Sequence, residues 1–171
     1  PPEETLIVIT ADHETGGLAL GTGKYALNLK ALEHQEVSAG ELSNLMSELR
    51  KAKNNNVTWE DMKEFLSEHM GFWDEVPLTW AQERKLRDEF ESSFVSKKHG
   101  FEESMYTKTE PLASRAKEVM NQIAMVGWAS HSHSANYVPV YAIGVGAELF
   151  SAKQNNIDIP KKIAKAAGYK W

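Results

Sequence analysis

Two short clusters of metal-ligand side chains stand out in the sequence. Asp12 and His13 form the first, and His131 and His133, separated by one serine, form the second. Carboxylate oxygens and imidazole nitrogens are ligands that Zn²⁺ accepts in proteins. Residues two apart in an extended segment point to the same side, so both imidazoles of the second cluster could face one site. Each cluster alone also fits an ordinary polar turn, and a metal site requires that the fold bring the two clusters together.

Each cluster borders a predicted strand. Asp12 and His13 directly follow the apolar, β-branched run 5–10, and the second cluster precedes a similar run at 138–145. Functional groups of open α/β sheets gather just beyond the carboxyl ends of strands. The continuous run 5–10 is typical of a strand buried on both faces inside a parallel sheet covered by helices. Because two strands alone are marginal in water, we expect the rest of this sheet to lie outside the sequence.

The glycine pair after the first cluster could bind a ligand through its backbone. Gly16 and Gly17 close the segment Glu14-Thr15-Gly16-Gly17 on a predicted tight turn. Glycine has no side chain to hold a ligand away, so this turn would let the backbone approach a small anion closely.

A largely helical stretch separates the two clusters. A hydroxyl residue stands three positions before an acid or amide, as in a capping box, at Ser38/Glu41, Thr58/Asp61 and Thr79/Gln82. A fourth helix is predicted from Pro111 to Val126, and a short closing helix opens at Asp158 and ends at Gly168. The histidines of this stretch, which are His34, His69 and His99, are interpreted as surface or packing residues.

Composition excludes several classes of protein. The chain has 171 residues, of which 42% are hydrophobic, and a net charge of −5 without any basic stripe, so we expect no nucleic-acid partner. No apolar run approaches the roughly 18 residues that would suggest a membrane span. The absence of cysteine removes disulfides and thiolate metal ligands.

Two segments carry a resemblance to a known family. The segment 6–17, with sequence LIVITADHETGG, resembles the alkaline phosphatase segment that ends in a pair of zinc ligands. The segment 133–144, with sequence HSANYVPVYAIG, is similar to a later segment of that family, in which a histidine followed by Thr-Gly leads into a strand. The resemblance implies that Asp12 and His13 ligate one zinc and that His133 ligates the other. His131 matches no ligand of the family and is given at most a supporting role behind the ligands.

The resemblance also implies a fold. It is α/β, part of an alkaline-phosphatase-like sheet sandwiched by helices, with a largely helical insertion. Residues 1–171 would be the C-terminal part of an alkaline phosphatase domain, and residues 25–128 a helical crown-type insertion within it. No catalytic residue is assigned in this chain, because the family's serine nucleophile and its magnesium ligands would lie upstream.

The implied function is phosphate monoester hydrolysis by a two-zinc, phosphoserine mechanism in the full-length parent. This chain would supply three zinc ligands, and we expect it to be inactive alone. The implied cofactors are two Zn²⁺ ions and Mg²⁺, and the implied partners are the monoester substrate, the N-terminal part of the same protein and a second copy in a homodimer. Similar enzymes are periplasmic or secreted.

Three alternatives stay open. A phosphodiesterase, sulfatase or phosphomutase of the same superfamily also uses an Asp-His pair after a strand, although Glu14-Thr15-Gly16-Gly17 leans toward a monoesterase. A self-contained zinc module would use Asp12, His13, His131 and His133 as four ligands of one closed tetrahedral site. In a helical interaction module the histidines would be incidental.

Overall fold

The structure is a computed structural model that describes residues 2–23, 25–103, 108–130 and 132–170. The strands of the described residues are β1 (Leu6–Ile9), β2 (Leu18–Leu20), β3 (Glu102–Glu103), β4 (Lys108–Thr109), β5 (Val126–Trp128) and β6 (Tyr141–Gly144). The α-helices are α1 (Ala39–Ala52), α2 (Trp59–Met70), α3 (Trp80–Phe90), α4 (Pro111–Ala124) and α5 (Asp158–Ala166). Short 3-10 helices cover Pro2–Glu4, Leu29–His34 and Ala147–Phe150, and a π-helical turn, Glu91–Val95, continues α3.

The chain divides into two compact units. The sheet unit consists of Pro1–Leu18 and Trp128–Trp171, and the helical unit is Ala19–Gly127. The predicted insertion, 25–128, has nearly the same bounds as the helical unit, and its relation to a crown-type insertion stays a prediction. Within the described residues, no helix combines the length and apolar character needed to cross a membrane.

The predicted helix starts of the helical unit are present in the structure. Thr58 and Thr79 each begin a complete capping box, in which the hydroxyl accepts from the third backbone amide and that residue's side chain accepts in return. Ser38 makes only the first of these two bonds, accepting from Glu41 N at 3.2 Å. Pro111 starts α4, where its missing N–H costs nothing because no helical partner exists there.

The helical unit has its own hydrophobic core. Helices α1, α3 and the 3-10 helix Leu29–His34 pack against α4. The apolar stripes of the helices meet in this core, whose most buried large side chains are Leu42, Met46, Met62, Leu66, Met70, Phe72, Leu86, Phe90, Leu112 and Met120. Burial of this apolar surface is the main source of stability for the unit.

A buried ion pair joins α1 to the start of α4. Arg50 Nη2 lies 2.8 Å from Glu110 Oε2, and the Glu110 side chain is only 2% exposed. The Arg50 guanidinium also lies 3.7 Å from the centroid of the Phe94 ring, and Ser43 Oγ accepts from Glu110 N at 2.8 Å. Among the described residues, Glu110 Oε1 has no hydrogen-bond partner. The ion pair therefore satisfies Oε2, whereas burial of Oε1 without a partner costs stability.

The stability of the helical unit should fall as pH rises through the titration of Glu110. Burial raises the pKa of Glu110 above its ordinary value of 4.5, although the Arg50 guanidinium opposes the shift. Because the carboxyl ionises less readily in the folded chain than in the unfolded one, its contribution to stability is present below about pH 4.5 and is lost as pH rises through the folded-state pKa. Urea unfolding of the wild type and of Glu110→Gln at a series of pH values measures this effect. We expect the wild type to lose stability relative to the variant with rising pH, and a difference that does not change with pH would contradict the argument.

The sheet unit corrects one prediction about β1. This strand is not part of a parallel arrangement among the described residues, because it pairs antiparallel with β6 in the register Ile7↔Ile143 and Ile9↔Tyr141. Ile7 is 50% and Ile9 is 61% exposed in this chain, so burial of both faces of β1 stays a prediction that depends on the part of the sheet expected outside the sequence. A continuous apolar run favours two buried faces but carries no information on the direction of its neighbour, and that was the source of the error.

The sheet unit has almost no core of its own. Among its described residues, Phe150 is the one buried hydrophobic side chain. Helix α5 is amphipathic, yet none of its residues is buried. A sheet needs an apolar face packed against another layer for independent stability, so this unit depends on further contacts.

Candidate metal centre

Asp12 and His13 lie just beyond β1, after Thr10 and Ala11, and their side chains approach each other. The His13 backbone N–H donates to Asp12 Oδ1 at 2.9 Å, and Asp12 Oδ2 lies 3.4 Å from His13 Nε2. The Asp12 side chain is 85% exposed and that of His13 is 38% exposed. The two donor atoms are therefore adjacent and open to an incoming cation.

The His13 ring is held in the tautomer that suits a metal ligand. Its Nδ1 lies 3.0 Å from the Glu14 backbone oxygen, which can only accept a hydrogen bond, so Nδ1 carries the proton. In the neutral ring Nε2 then has its lone pair directed toward the Asp12 carboxylate. Two electron-rich atoms that face each other are stabilised by a cation between them, and nitrogen with oxygen is a ligand pair that suits zinc.

His133 lies beside His13 although the two are far apart in sequence. Their rings stack with centroids 3.5 Å apart and an interplanar angle of 29°. An antiparallel bridge between Glu14 and Ser134, the residues that follow the two histidines, brings the segments together. The structure thus joins the two clusters that the sequence analysis singled out, at least through His13 and His133. His131 lies outside the described residues.

The three predicted ligands do not form a single three-ligand site. Among the described residues, no group of three or more His, Cys, Asp and Glu side chains is placed to hold one metal ion. Stacked imidazole rings present their nitrogens side by side rather than toward a common centre. The self-contained zinc module also uses His131, which lies outside the described residues, so that alternative stays untested, and separate ions for His13 and His133 are compatible with the arrangement.

Glu14 is a site residue whose individual role the sequence analysis missed. Its Oε2 accepts from Gly16 N at 2.9 Å, its Oε1 accepts from Gly17 N at 2.5 Å, and Ser134 Oγ donates to Oε2. The Ser134 hydroxyl and then the Gly17 amide hold the pKa of Glu14 below its ordinary value of 4.5, so this carboxylate is ionised at neutral pH. The anion that the glycine turn approaches is therefore a side chain of the same turn. The Glu-Thr-Gly-Gly motif is the sequence feature from which this role of Glu14 could have been predicted.

Gly16 and Gly17 are required because the chain passes very close to them. Gly16 has φ +108° and Gly17 has φ +67°, in the left-handed region that side chains disfavour. The Gly16 carbonyl accepts from Ala129 N at 2.8 Å and from Ser130 N at 3.0 Å. These bonds fix the turn that follows His13 against the segment that leads to His133.

Comparison with known proteins identifies the family. The family model described as "Alkaline phosphatase" matches residues 2–169, which is nearly the whole chain. This chain belongs to the alkaline phosphatase family.

Curated and solved alkaline phosphatases are similar to this chain over one part of their length. Alkaline phosphatase 3 of Bacillus subtilis is 26% identical over 98% of this chain and 31% of its own length. Alkaline phosphatase 4 of the same organism is 27% identical over 91% of this chain and 28% of its own length. A cold-active alkaline phosphatase from Shewanella sp. matches in structure with a TM-score of 0.65 at 22% identity, over 96% of this chain and 34% of that one. The chain thus spans about a third of the length of these relatives and shares their mixed α/β fold.

A methyl group at position 16 should loosen the turn that follows His13. In Gly16→Ala the new Cβ would lie 2.9 Å from the Ser130 backbone oxygen and 3.4 Å from the Trp128 ring. We expect a loss of about 1–3 kcal/mol in stability from the strained backbone, with a further loss from the clash. Denaturant unfolding and amide hydrogen exchange at Ala129 measure the effect. Gly23→Ala is a matched control, because Gly23 has φ +103° but no atom within 4 Å of its added Cβ; equal losses in the two variants would contradict the role of the close approach.

Proposed function

We propose that this chain supplies part of the two-zinc centre of an alkaline phosphatase that hydrolyses phosphate monoesters. Family membership supports the reaction class. The observation that supports the site is the proximity of His13 to His133, whose ring centroids lie 3.5 Å apart. Asp12 and His13 would hold one zinc ion, and His133 would hold the other.

The residues of this chain act by holding ligand atoms in place. Hydrogen bonding of Nδ1 to the Glu14 carbonyl orients the His13 ring and leaves Nε2 as the nitrogen available for metal binding. The Asp12 carboxylate is fixed by the His13 backbone N–H, with its second oxygen beside Nε2. Phosphoryl transfer asks the protein mainly for such positioning and for neutralisation of charge. When bound, a pair of zinc ions supplies that neutralisation at the entering and leaving oxygens.

The serine nucleophile of the proposed reaction would come from the remainder of the parent protein. The exposed apolar face of the β1–β6 pair supports the proposal that the same remainder covers this sheet. Ile143 and Tyr141, which pair with Ile7 and Ile9, are 69% and 63% exposed. We therefore propose the N-terminal part of the same protein as the partner of the sheet unit. Magnesium binding, a homodimer and export to the periplasm or the medium are proposed from the family resemblance.

Hydrolysis by the full-length parent tests the proposed function. The parent is assayed with zinc and magnesium on a phosphate monoester, a phosphate diester and a sulfate ester. Strong monoester turnover with little on the other two supports the proposal. A preference for the diester or the sulfate ester would move the protein to a related family, and no turnover of any of the three would favour a non-catalytic module.

The 171-residue chain alone should not hydrolyse phosphate monoesters. It has neither the nucleophile of the proposed mechanism nor all ligands of either zinc ion. The purified chain is assayed beside its His13→Ala variant with added zinc. Robust turnover that the substitution abolishes would contradict this division of labour between the chain and the rest of the parent.

A further inference from the structure

The carboxylate of Glu14 is the point at which both ligand-bearing segments meet. It accepts two backbone amides from its own turn, Gly16 N and Gly17 N, one on each oxygen. It also accepts the hydroxyl of Ser134, which is 120 positions away in sequence. One side chain therefore closes the turn after Asp12-His13 and ties it to the segment that carries His133.

The backbone of Glu14 reinforces the same link. Ser134 N donates to the Glu14 carbonyl at 3.4 Å in an antiparallel bridge, and that carbonyl also accepts from His13 Nδ1 at 3.0 Å. With Glu14 opposite Ser134, His13 and His133 are diagonal neighbours across the bridge, a spacing that ring side chains can span. The stacking of the two imidazoles follows from this register.

Glu14 is itself unsuited to be a metal ligand in this arrangement. Its two oxygens already accept three hydrogen bonds, from Gly16 N, Gly17 N and Ser134 Oγ. A carboxylate committed to neighbouring donors acts on a metal site through the ligands that it orients.

We propose that Glu14 is the positioning residue of the metal centre, whose carboxylate fixes His13 beside His133 by binding Gly16, Gly17 and Ser134 together. The inference rests on the proposed function for its metal. The placement of the two histidines is a property of the chain and is measurable without zinc.

Substitutions at both ends of the Glu14–Ser134 contact separate positioning from general stability. Glu14→Gln preserves shape, but its amide group can replace only one of the two oxygens as acceptor, so one glycine N–H loses its partner. Ser134→Ala removes the hydroxyl that crosses between the segments, and Ser134→Thr restores it. Ser132→Ala is a matched control in the same loop, because Ser132 is exposed and the hydroxyl that donates to Glu14 belongs to Ser134.

The first measurement uses the metal-free full-length parent with ¹³C-labelled histidine rings, with all variants compared at one fixed pH. Stacking shifts the ring signals of His13 and His133, which are assigned by substituting each histidine in turn. We expect these shifts to collapse toward solvent values in Glu14→Gln and Ser134→Ala and to persist in Ser134→Thr and Ser132→Ala. Unchanged shifts in Glu14→Gln and Ser134→Ala would overturn the proposal, and if Glu14→Gln fails to fold, the three serine variants decide the matter.

The second measurement is zinc affinity by competition with a chromophoric chelator. We expect Glu14→Gln and Ser134→Ala each to weaken binding by about 10- to 100-fold, as the loss of a group that orients a ligand does. The loss in the double variant should be smaller than the sum of the two single losses, because Gly16, Gly17 and Ser134 donate to one carboxylate and form a single network. Additive losses of affinity in the double variant would overturn the positioning role. So would losses in Ser134→Thr and Ser132→Ala as large as those in Glu14→Gln and Ser134→Ala. A wild-type parent that binds no zinc would refute the proposed function alone, since the ring signals still report whether Glu14 holds the histidines together.

Discussion

Replacement of His13 by alanine is expected to lower phosphate monoester turnover of the full-length parent by more than about 100-fold. Loss of a group that only orients a ligand costs about 10- to 100-fold in activity or metal affinity, so loss of the ligand itself should cost more. His13 Nε2 faces Asp12 Oδ2 at 3.4 Å, and without the imidazole Asp12 alone cannot complete the pair. Steady-state turnover at saturating substrate with excess zinc measures the effect.

A histidine of the helical unit provides the control for this prediction. His34→Gln changes an imidazole in the 3-10 helix Leu29–His34, away from the predicted ligands in sequence and in a different unit. We expect its turnover to match that of the wild type. If His13→Ala retained more than about a tenth of wild-type turnover, a ligand role for His13 would be untenable.

Replacement of Arg50 by methionine is expected to destabilise the helical unit by about 3–5 kcal/mol, as removal of one partner from a buried ion pair does. Glu110 would keep its burial, with 2% of its side chain exposed, and would lose the guanidinium at 2.8 Å. The loss should shrink at low pH, because the raised pKa of Glu110 lets this carboxyl take up a proton. Urea unfolding of the 171-residue chain, followed by far-UV circular dichroism of its helices, gives the free energy of unfolding.

Two further variants show whether burial is the cause of the Arg50 effect. Lys53→Met breaks the ion pair of Lys53 with Asp61, whose nitrogen and oxygen are 2.6 Å apart but whose lysine is 46% exposed. A loss of at most about 1 kcal/mol is expected there. The double variant Arg50→Met/Glu110→Leu removes both charges and should recover most of the lost stability. Equal losses in Arg50→Met and Lys53→Met would show that burial does not decide the outcome.

The helices were predictable because their determinants are local. Thr58 with Asp61 and Thr79 with Gln82 satisfy backbone groups within four residues of sequence, and both boxes are present in the structure. Pro111 similarly starts α4 at the predicted residue, and the helix ends at Ala124, two residues before the predicted end. Such signals need no knowledge of the rest of the fold.

The strands were predictable in place but not in pairing. β1 lies within the predicted run 5–10, whereas β6 begins at Tyr141 rather than at Val138. The direction of a neighbouring strand depends on chain path and register, which a run of apolar residues does not encode. The antiparallel pairing of Ile7 with Ile143 was therefore available only from the structure.

The candidate site was likewise predictable only in part. Asp12, His13 and His133 were chosen from residue type, position beside strands and family resemblance, and their ligand roles stay a prediction. The contact of Glu14 with Ser134 spans 120 positions, and no local pattern specifies it. Glu14-Thr15-Gly16-Gly17 was interpreted as a turn for an external anion, whereas in the structure the Gly16 and Gly17 amides donate to Glu14.

The zinc content of the full-length parent tests the central claim most directly, namely that Asp12, His13 and His133 are zinc ligands. Elemental analysis after exhaustive dialysis compares the wild type with the Asp12→Ala/His13→Ala double variant and with His133→Ala. We predict two zinc ions per chain in the wild type and close to one in each variant, since each would lose a different ion. Unchanged zinc content in both variants would contradict the claim.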